Sequence, residues 1–270
     1  GGLLSPDFLE GVHDAPGQRP ADFGLPRRVS LVDEVTAAWG DALQAFARLE
    51  GEITAAWEGV RPRQILVIGC GSTHYLSQTA ARLLQSATAI PATAVPASEL
   101  ILFPDETITD PANTLLLAIS RSGTTSETLE AVRRFQQRQG AAVWVITCYP
   151  DSPLARSAAL VLPTVAAQEQ SVAQTRSFAS MLIMAQALAA LLGHRGWRGL
   201  TALPAIGRAL IEQTQPLMEQ IAARPDWQRL VFLGSGAQYG VASEAMLKMT
   251  EMSLTDSQAF HFMEYRHGPM

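Results

Sequence analysis

The 270-residue sequence is short of several things at once: it has two cysteines, no concentrated run of lysine or arginine, and no apolar stretch long enough to span a bilayer. Cys70 and Cys148 stand alone, with no CxxC pair and no histidine at ligand spacing, which argues against zinc and leaves the metal expectation at none. Each ends an apolar run, where a thiol packs as a small buried hydrophobe, and this fits a reducing cytoplasm. The formal charge of −5 supplies no basic face for a nucleic acid, although a small phosphate needs only local positive potential. The N-terminus lacks a basic region followed by an apolar one, so a soluble, unexported, cytoplasmic protein without a membrane partner is expected. Charged residues make up 17% and apolar ones 47%, a balance that fills a sizeable core and excludes wholesale disorder.

Residues 1–30 are rich in Gly, Pro and Asp with no clean period, and are expected to form an irregular arm. From Leu31, apolar residues recur at three- and four-residue steps through Leu49, the mark of one or two long helices. A run of βα units follows. Strands are expected over Ile65–Ile68, Thr93–Val95, Thr114–Ile119, Val143–Thr147 and Leu160–Leu162, and helices from Ser72 to about Gln85 and over Ser126–Gln139, closed by Gly140. Continuous apolar strands alternating with helices imply an α/β fold, a parallel sheet covered on both faces. Helices around Phe178–Leu192 and Ala205–Ala222 lead to a second unit. There Leu230–Leu233, Gly234-Ser235-Gly236 and a helix over Tyr239–Ser253 repeat the character of Ile65–Gly71. The expected organisation is an arm over 1–30, a first domain with its preceding helices over 31–200, and over 201–270 a linker helix with the first part of a second domain, incomplete where the sequence ends at Met270.

Ser120-Arg121-Ser122-Gly123-Thr124-Thr125 follows a buried strand and opens a helix, so free amides and a positive helix end point at whatever sits there. One hydroxyl would be an ordinary N-cap; four around a glycine favour a phosphate, with Arg121 adding charge. Gly69-Cys70-Gly71-Ser72-Thr73 is a second turn of this kind, and in a doubly wound sheet such turns converge where strand order reverses. It lacks the third glycine of a dinucleotide fingerprint. The polar segment Gln168–Phe178 reads first as a helix cap and second as a wall of the site. Glu244, Lys248 and Glu251 share one helical face. A solvated ion pair accounts for the spacing, but the apolar neighbours argue for burial, and a buried carboxylate beside an amine is what proton abstraction next to a carbonyl needs. In Arg266-His267-Gly268-Pro269 a stiff turn presents an imidazole, either as a bystander or for sugar-ring opening. His13, His74, His194 and His261 are expected to be structural.

Cys-Gly-Ser-Thr, Ser-Arg-Ser-Gly-Thr-Thr-Ser-Glu-Thr, Ser-Val-Ala-Gln-Thr-Arg-Ser-Phe, Leu-Gly-Ser-Gly with Glu-Ala-Met-Leu-Lys-Met-Thr-Glu, and Arg-His-Gly-Pro occur in that order over residues 65–270. Together they resemble the sugar isomerase (SIS) domain family, in particular the isomerase half of glutamine–fructose-6-phosphate aminotransferase and stand-alone aminosugar-phosphate deaminase/isomerases. The resemblance implies two flavodoxin-like domains and a homodimer whose sites are shared between subunits. It implies that Ser120, Ser122, Gly123 and Thr125 hold a phosphate with Arg121 in place of a common glutamine, and that Ser72, Thr73 and Val172 line the sugar. It implies Glu251 as the base moving a proton between C1 and C2, Lys248 beside it, Glu244 in support, and His267 in ring opening.

The sequence departs from that pattern at Thr250, where a second lysine is common, and at Thr124, where a glutamate is common. No glutaminase-like segment with an N-terminal cysteine is present in it, and the tail that closes the family's site is missing. The expected function is isomerisation or deamination of a hexose 6-phosphate, with an aminosugar phosphate favoured, without glutamine-derived ammonia and without cofactor. A carbonyl already acidifies the adjacent C–H. The alternatives are a non-catalytic sugar-phosphate sensor and a fructosamine-phosphate deglycase.

Overall fold

The computed structural model describes residues 28–224 and 227–269. Most of the expected arm, residues 1–27 with His13, lies outside the described residues, and a single helix begins at Arg28. That helix, α1 (Arg28–Val60), is followed by β1 (Gln64–Gly69), α2 (Ser72–Thr88), β2 (Ala92–Pro96), α3 (Ala97–Leu102), α4 (Pro104–Thr107) and β3 (Thr114–Ile119). Next come α5 (Ser126–Gln137), β4 (Ala142–Thr147), α6 (Pro153–Arg156), β5 (Leu160–Pro163), α7 (Arg176–Leu192) and α8 (Leu203–Ala222). The chain continues through β6 (Arg229–Leu233), α9 (Gln238–Ser253), β7 (Asp256–Phe260) and a 3-10 turn over Glu264–His267. Among the described residues no helix is long and apolar enough to cross a membrane.

Five strands form one all-parallel sheet in the order β2-β1-β3-β4-β5. β3 is buried along its whole length, and alternate side chains enter different cores. Leu115, Leu117 and Ile119 join Ile65, Val67, Trp144 and Ile146 beneath α1, α2 and α7; Leu116 and Ala118 join Leu66, Ile68, Val143 and Val145 beneath α3 and α5. A sheet buried on both sides needs apolar residues at every position, which is why these strands read as unbroken runs. Phe46 of α1 meets Trp197 edge-on at 5.1 Å and ties the long helix to the 3-10 turn that follows α7.

The closure of α5 differs from expectation by one residue. Gln139, at φ 58°, takes the left-handed position, and Gln139 N–H and Gly140 N–H donate to the carbonyls of Gln136 and Phe135 at 3.0 and 3.2 Å. Gly140 follows it because the Phe135 ring occupies the space a Cβ would need.

β6 and β7 pair in parallel as a second, two-stranded sheet joined by α9. Gly71 and Gly236 stand at φ 55° and 60° in equivalent turns, so the β1–α2 and β6–α9 connections share a backbone path.

Candidate active site

The strand order reverses between β1 and β3, which are neighbours in the sheet. β1 leads into α2 on one face and β3 into α5 on the other, so a crevice opens between the two turns at the carboxyl end of the strands. Cys70 Sγ lies 3.6 Å from Thr128 Oγ1 and links the first of these turns to the start of α5. Burial pushes the Cys70 thiol up, as it does the fully buried Cys148, which reaches about 11.

The Ser120–Thr125 turn is held by hydrogen bonds among its own residues. Ser120 is buried, and its Oγ accepts Gly123 N–H at 3.1 Å and lies 3.3 Å from Thr125 Oγ1. Ser122 Oγ accepts from the Thr124 amide at 3.2 Å and from the Thr124 hydroxyl at 3.0 Å. Gly123 is obligatory: it stands at φ 63°, and a Cβ there would lie 2.0 Å from Ser152 Oγ. Thr125 occupies the N-cap position of α5 but makes no side-chain cap bond. The hydroxyls therefore shape the turn without capping the helix, and the positive end of α5 faces the crevice.

Arg121 does something else. Its Nη1 donates to the carbonyls of Ser171 and Val172 at 2.7 and 3.2 Å, drawing the segment before α7 toward the turn. The Val172 side chain is exposed. Of the two roles expected for Gln168–Phe178, the cap is realised, by Glu169. Its carboxylate accepts the amides of Thr175, Arg176 and Ser177 at 3.1 to 3.4 Å. A glutamate six residues before the N-cap Thr175 lies outside the usual capping spacing, so no local signal marked it.

On the β1 side, Thr73 turns its hydroxyl back to Cys70, accepting the amide at 3.0 Å and donating to the carbonyl at 2.9 Å. Ser72, the first residue of α2, is buried, and its Oγ accepts from Lys248 Nζ at 3.0 Å. Lys248 arrives because α9 lies against α2. Gly240 makes that possible: a Cβ there would lie 2.3 Å from the Tyr75 carbonyl, and Thr79 Oγ1 donates to the Ala237 carbonyl at 2.8 Å. Since Gly240 meets Tyr75 while Lys248 meets Ser72, the two helices run antiparallel, and Glu244 and Lys248 follow Gly240 at steps of four on the contact face.

Lys248 Nζ lies 2.7 Å from Glu251 Oε2 and 3.3 Å from Glu244 Oε1. The longer contact falls short of good hydrogen-bond geometry, and among the described residues neither buried Glu244 oxygen has a well-formed hydrogen bond, although Ser72 and Lys248 lie close enough to act on it. Burial raises the Glu244 pKa to about 7, against the lowering pull of Lys248 and the Ser72 hydroxyl. Glu251 is the more open carboxylate, with 42% of its side chain exposed. Tyr75 is also pushed up, by burial first and then by Glu244, Tyr239 and Glu251. His267 sits in the exposed 3-10 turn and makes no hydrogen bond or ion pair with these groups among the described residues. His261 stacks on Tyr239 at 3.9 Å.

The site is thus an open crevice. A cavity of about 480 Å³, lined by Trp57, Arg61, Ile90 and His194 among others, lies at the opposite, amino end of the strands and contains none of these residues.

The SIS domain model matches residues 60–191. Glutamine–fructose-6-phosphate aminotransferase [isomerizing] from Clostridium perfringens is 31% identical over 218 residues, covering 77% of this chain and 35% of that protein. The chain thus spans about a third of the length of that relative. Among solved structures, tagatose-6-phosphate ketose/aldose isomerase from Escherichia coli superposes with a TM-score of 0.79 at 24% identity, covering 88% of this chain and 68% of the other. Glucosamine-6-phosphate deaminase from Thermotoga maritima gives 0.72 at 27% identity, covering 88% and 72%. Residues 60–191, with the sheet and both crevice turns, are a member of the SIS domain family.

Proposed function

We propose that the chain is a sugar-phosphate isomerase or deaminase acting on a hexose 6-phosphate, with aminosugar phosphates favoured. The observation that carries this reading is the reach of Lys248 across to Ser72: it sets an amine and two carboxylates beside the turn that opens α2, next to the turn that opens α5. The printed activities of the relatives agree with it, since each acts on a sugar phosphate.

In this reading the phosphate lies against the first turn of α5, where amides, hydroxyls and the helix end favour an anion. The open-chain sugar then extends toward α9. The Glu251 carboxylate takes the proton from C2, next to the carbonyl, and returns it to C1, while the hydroxyl proton passes from O2 to O1, converting aldose to ketose through an enediolate. The Lys248 ammonium lies between the two carboxylates and attracts the enediolate oxygen. His267 assists ring opening from a second subunit, which makes a homodimer part of the proposal. Two free cysteines suit work in a reducing cytoplasm.

The test is thermal unfolding with a panel of hexose and aminohexose 6-phosphates and their unphosphorylated counterparts. A true ligand at a hundred times its Kd adds about 2.7 kcal/mol of stability. Equal stabilisation by the unphosphorylated sugars overturns the reading.

A further inference from the structure

Residues 169–175 form a short segment that is anchored at both ends. Glu169 accepts the Thr175 amide and hydroxyl at 3.1 and 2.9 Å, the Arg176 amide at 3.1 Å, and the amide and hydroxyl of Ser177. Arg176 donates to the Gln168 carbonyl, and Gln168 Nε2 donates to the Cys148 carbonyl at 2.8 Å. The middle of the segment is exposed at Ser171 and Val172, and Arg121 Nη1 is what holds those two peptides.

Two helices begin beside this segment, and their ends differ. The α7 end is already occupied by the Glu169 carboxylate, which matches its positive pole and closes it to another anion. The α5 end has no side-chain cap: Glu127 stands in its first turn, but its carboxylate accepts from the Ser126 hydroxyl at 3.0 Å and takes none of the helix amides. An anion therefore belongs at α5, where amides and hydroxyls suffice without a guanidinium. Arg121 points away from that task, toward two neutral carbonyls.

Resting on the phosphosugar reading, we propose that Arg121 is a positioning residue: it fixes residues 171–174 as the sugar-facing wall of the crevice and does not hold the phosphate. Glu169 is its counterpart, locking the far end of the same segment to α7. Recognition of the sugar is thereby coupled to the phosphate turn through one side chain, because the residue that fastens the wall grows from the turn itself. The backbone of Arg121 is independently fixed, its carbonyl accepting from the Cys148 amide at 3.1 Å and the Thr147 hydroxyl at 3.2 Å. Replacing the side chain therefore leaves the turn in place.

The experiment compares the full chain with Arg121→Ala and Arg121→Gln. Limited proteolysis without ligand reads the segment directly, and calorimetric titration with inorganic phosphate and with glucosamine 6-phosphate reads the site. The expected result for Arg121→Ala is cleavage within residues 170–174 faster by about tenfold or more, with α7 uncut. Affinity for inorganic phosphate should stay within about twofold, while affinity for the sugar phosphate falls about tenfold or more. Parallel loss of both affinities would put the guanidinium on the anion and overturn the proposal, as would an unchanged cleavage rate in Arg121→Ala. If the unmodified protein binds neither ligand, the phosphosugar reading fails and with it the sugar-facing role, while the cleavage comparison still decides whether Arg121 fastens the segment. Glu169→Gln is the second probe, expected to speed amide exchange at Thr175, Arg176 and Ser177, whose N–H groups the carboxylate accepts.

Discussion

Lys248 Nζ donates to Ser72 Oγ at 3.0 Å, so an amine carried by α9 reaches the first turn of α2. The contact works because Gly240, two turns earlier, lets the helix backbones touch. Substituting Gly240 by alanine places a methyl 2.3 Å from a backbone oxygen that cannot swing aside. The expected cost is about 1–3 kcal/mol, with a larger proportional loss of turnover as Lys248 withdraws. Urea unfolding and steady-state rates read the two effects, and a Gly240→Ala protein that keeps both stability and rate removes the account of the helix contact.

Glu251→Gln keeps the shape of the side chain and removes its basicity. Turnover should fall by about 10²–10⁴-fold, while stabilisation by a bound sugar phosphate persists. Full activity in that variant would remove Glu251 from the reaction.

Glu244 gives the protein a pH signature. Its ordinary pKa of 4.5 rises to about 7 on folding, so between these values the folded chain holds a proton that the unfolded chain has released. Stability then falls as pH rises through that window and levels off above it, by about 3 kcal/mol at most. Glu244→Gln has no such proton to lose. The melting temperature of the variant minus that of the parent should grow by several degrees between pH 5 and pH 8, and parallel curves would contradict a buried, neutral Glu244.

Cys148 is the least reactive of the two thiols, fully buried and pushed up to about 11. A disulfide reagent at pH 8 should leave it untouched in the folded protein and label it on denaturation. Rapid labelling in the native state would mean that the sheet opens at the carboxyl end of β4.

The five-strand sheet was legible because its strands are buried on both faces, which leaves continuous apolar runs such as Leu115–Ile119. β7 was not legible, since Asp-Ser-Gln-Ala-Phe is largely polar and only half-buried. The short α3 and α4 carry no period long enough to read. At the site, the hydroxyl-rich turn and the Glu244–Lys248–Glu251 face could be read from spacing. The destination of Arg121 could not, because Ser171 and Val172 lie fifty residues away in sequence and only the fold brings them near. Glu169 was hidden for a similar reason, acting on a helix it does not adjoin.

The anion turn grows from the five-strand sheet, whereas the amine and carboxylates ride on a helix of the small β6–β7 layer. In the proposed reaction, anchoring and reactivity are therefore separable traits. Sliding one helix along the other by an ångström would leave a molecule that still grips its ligand yet no longer transforms it. A lineage could cross from enzyme to receptor, or back, by editing the seam and leaving both halves intact.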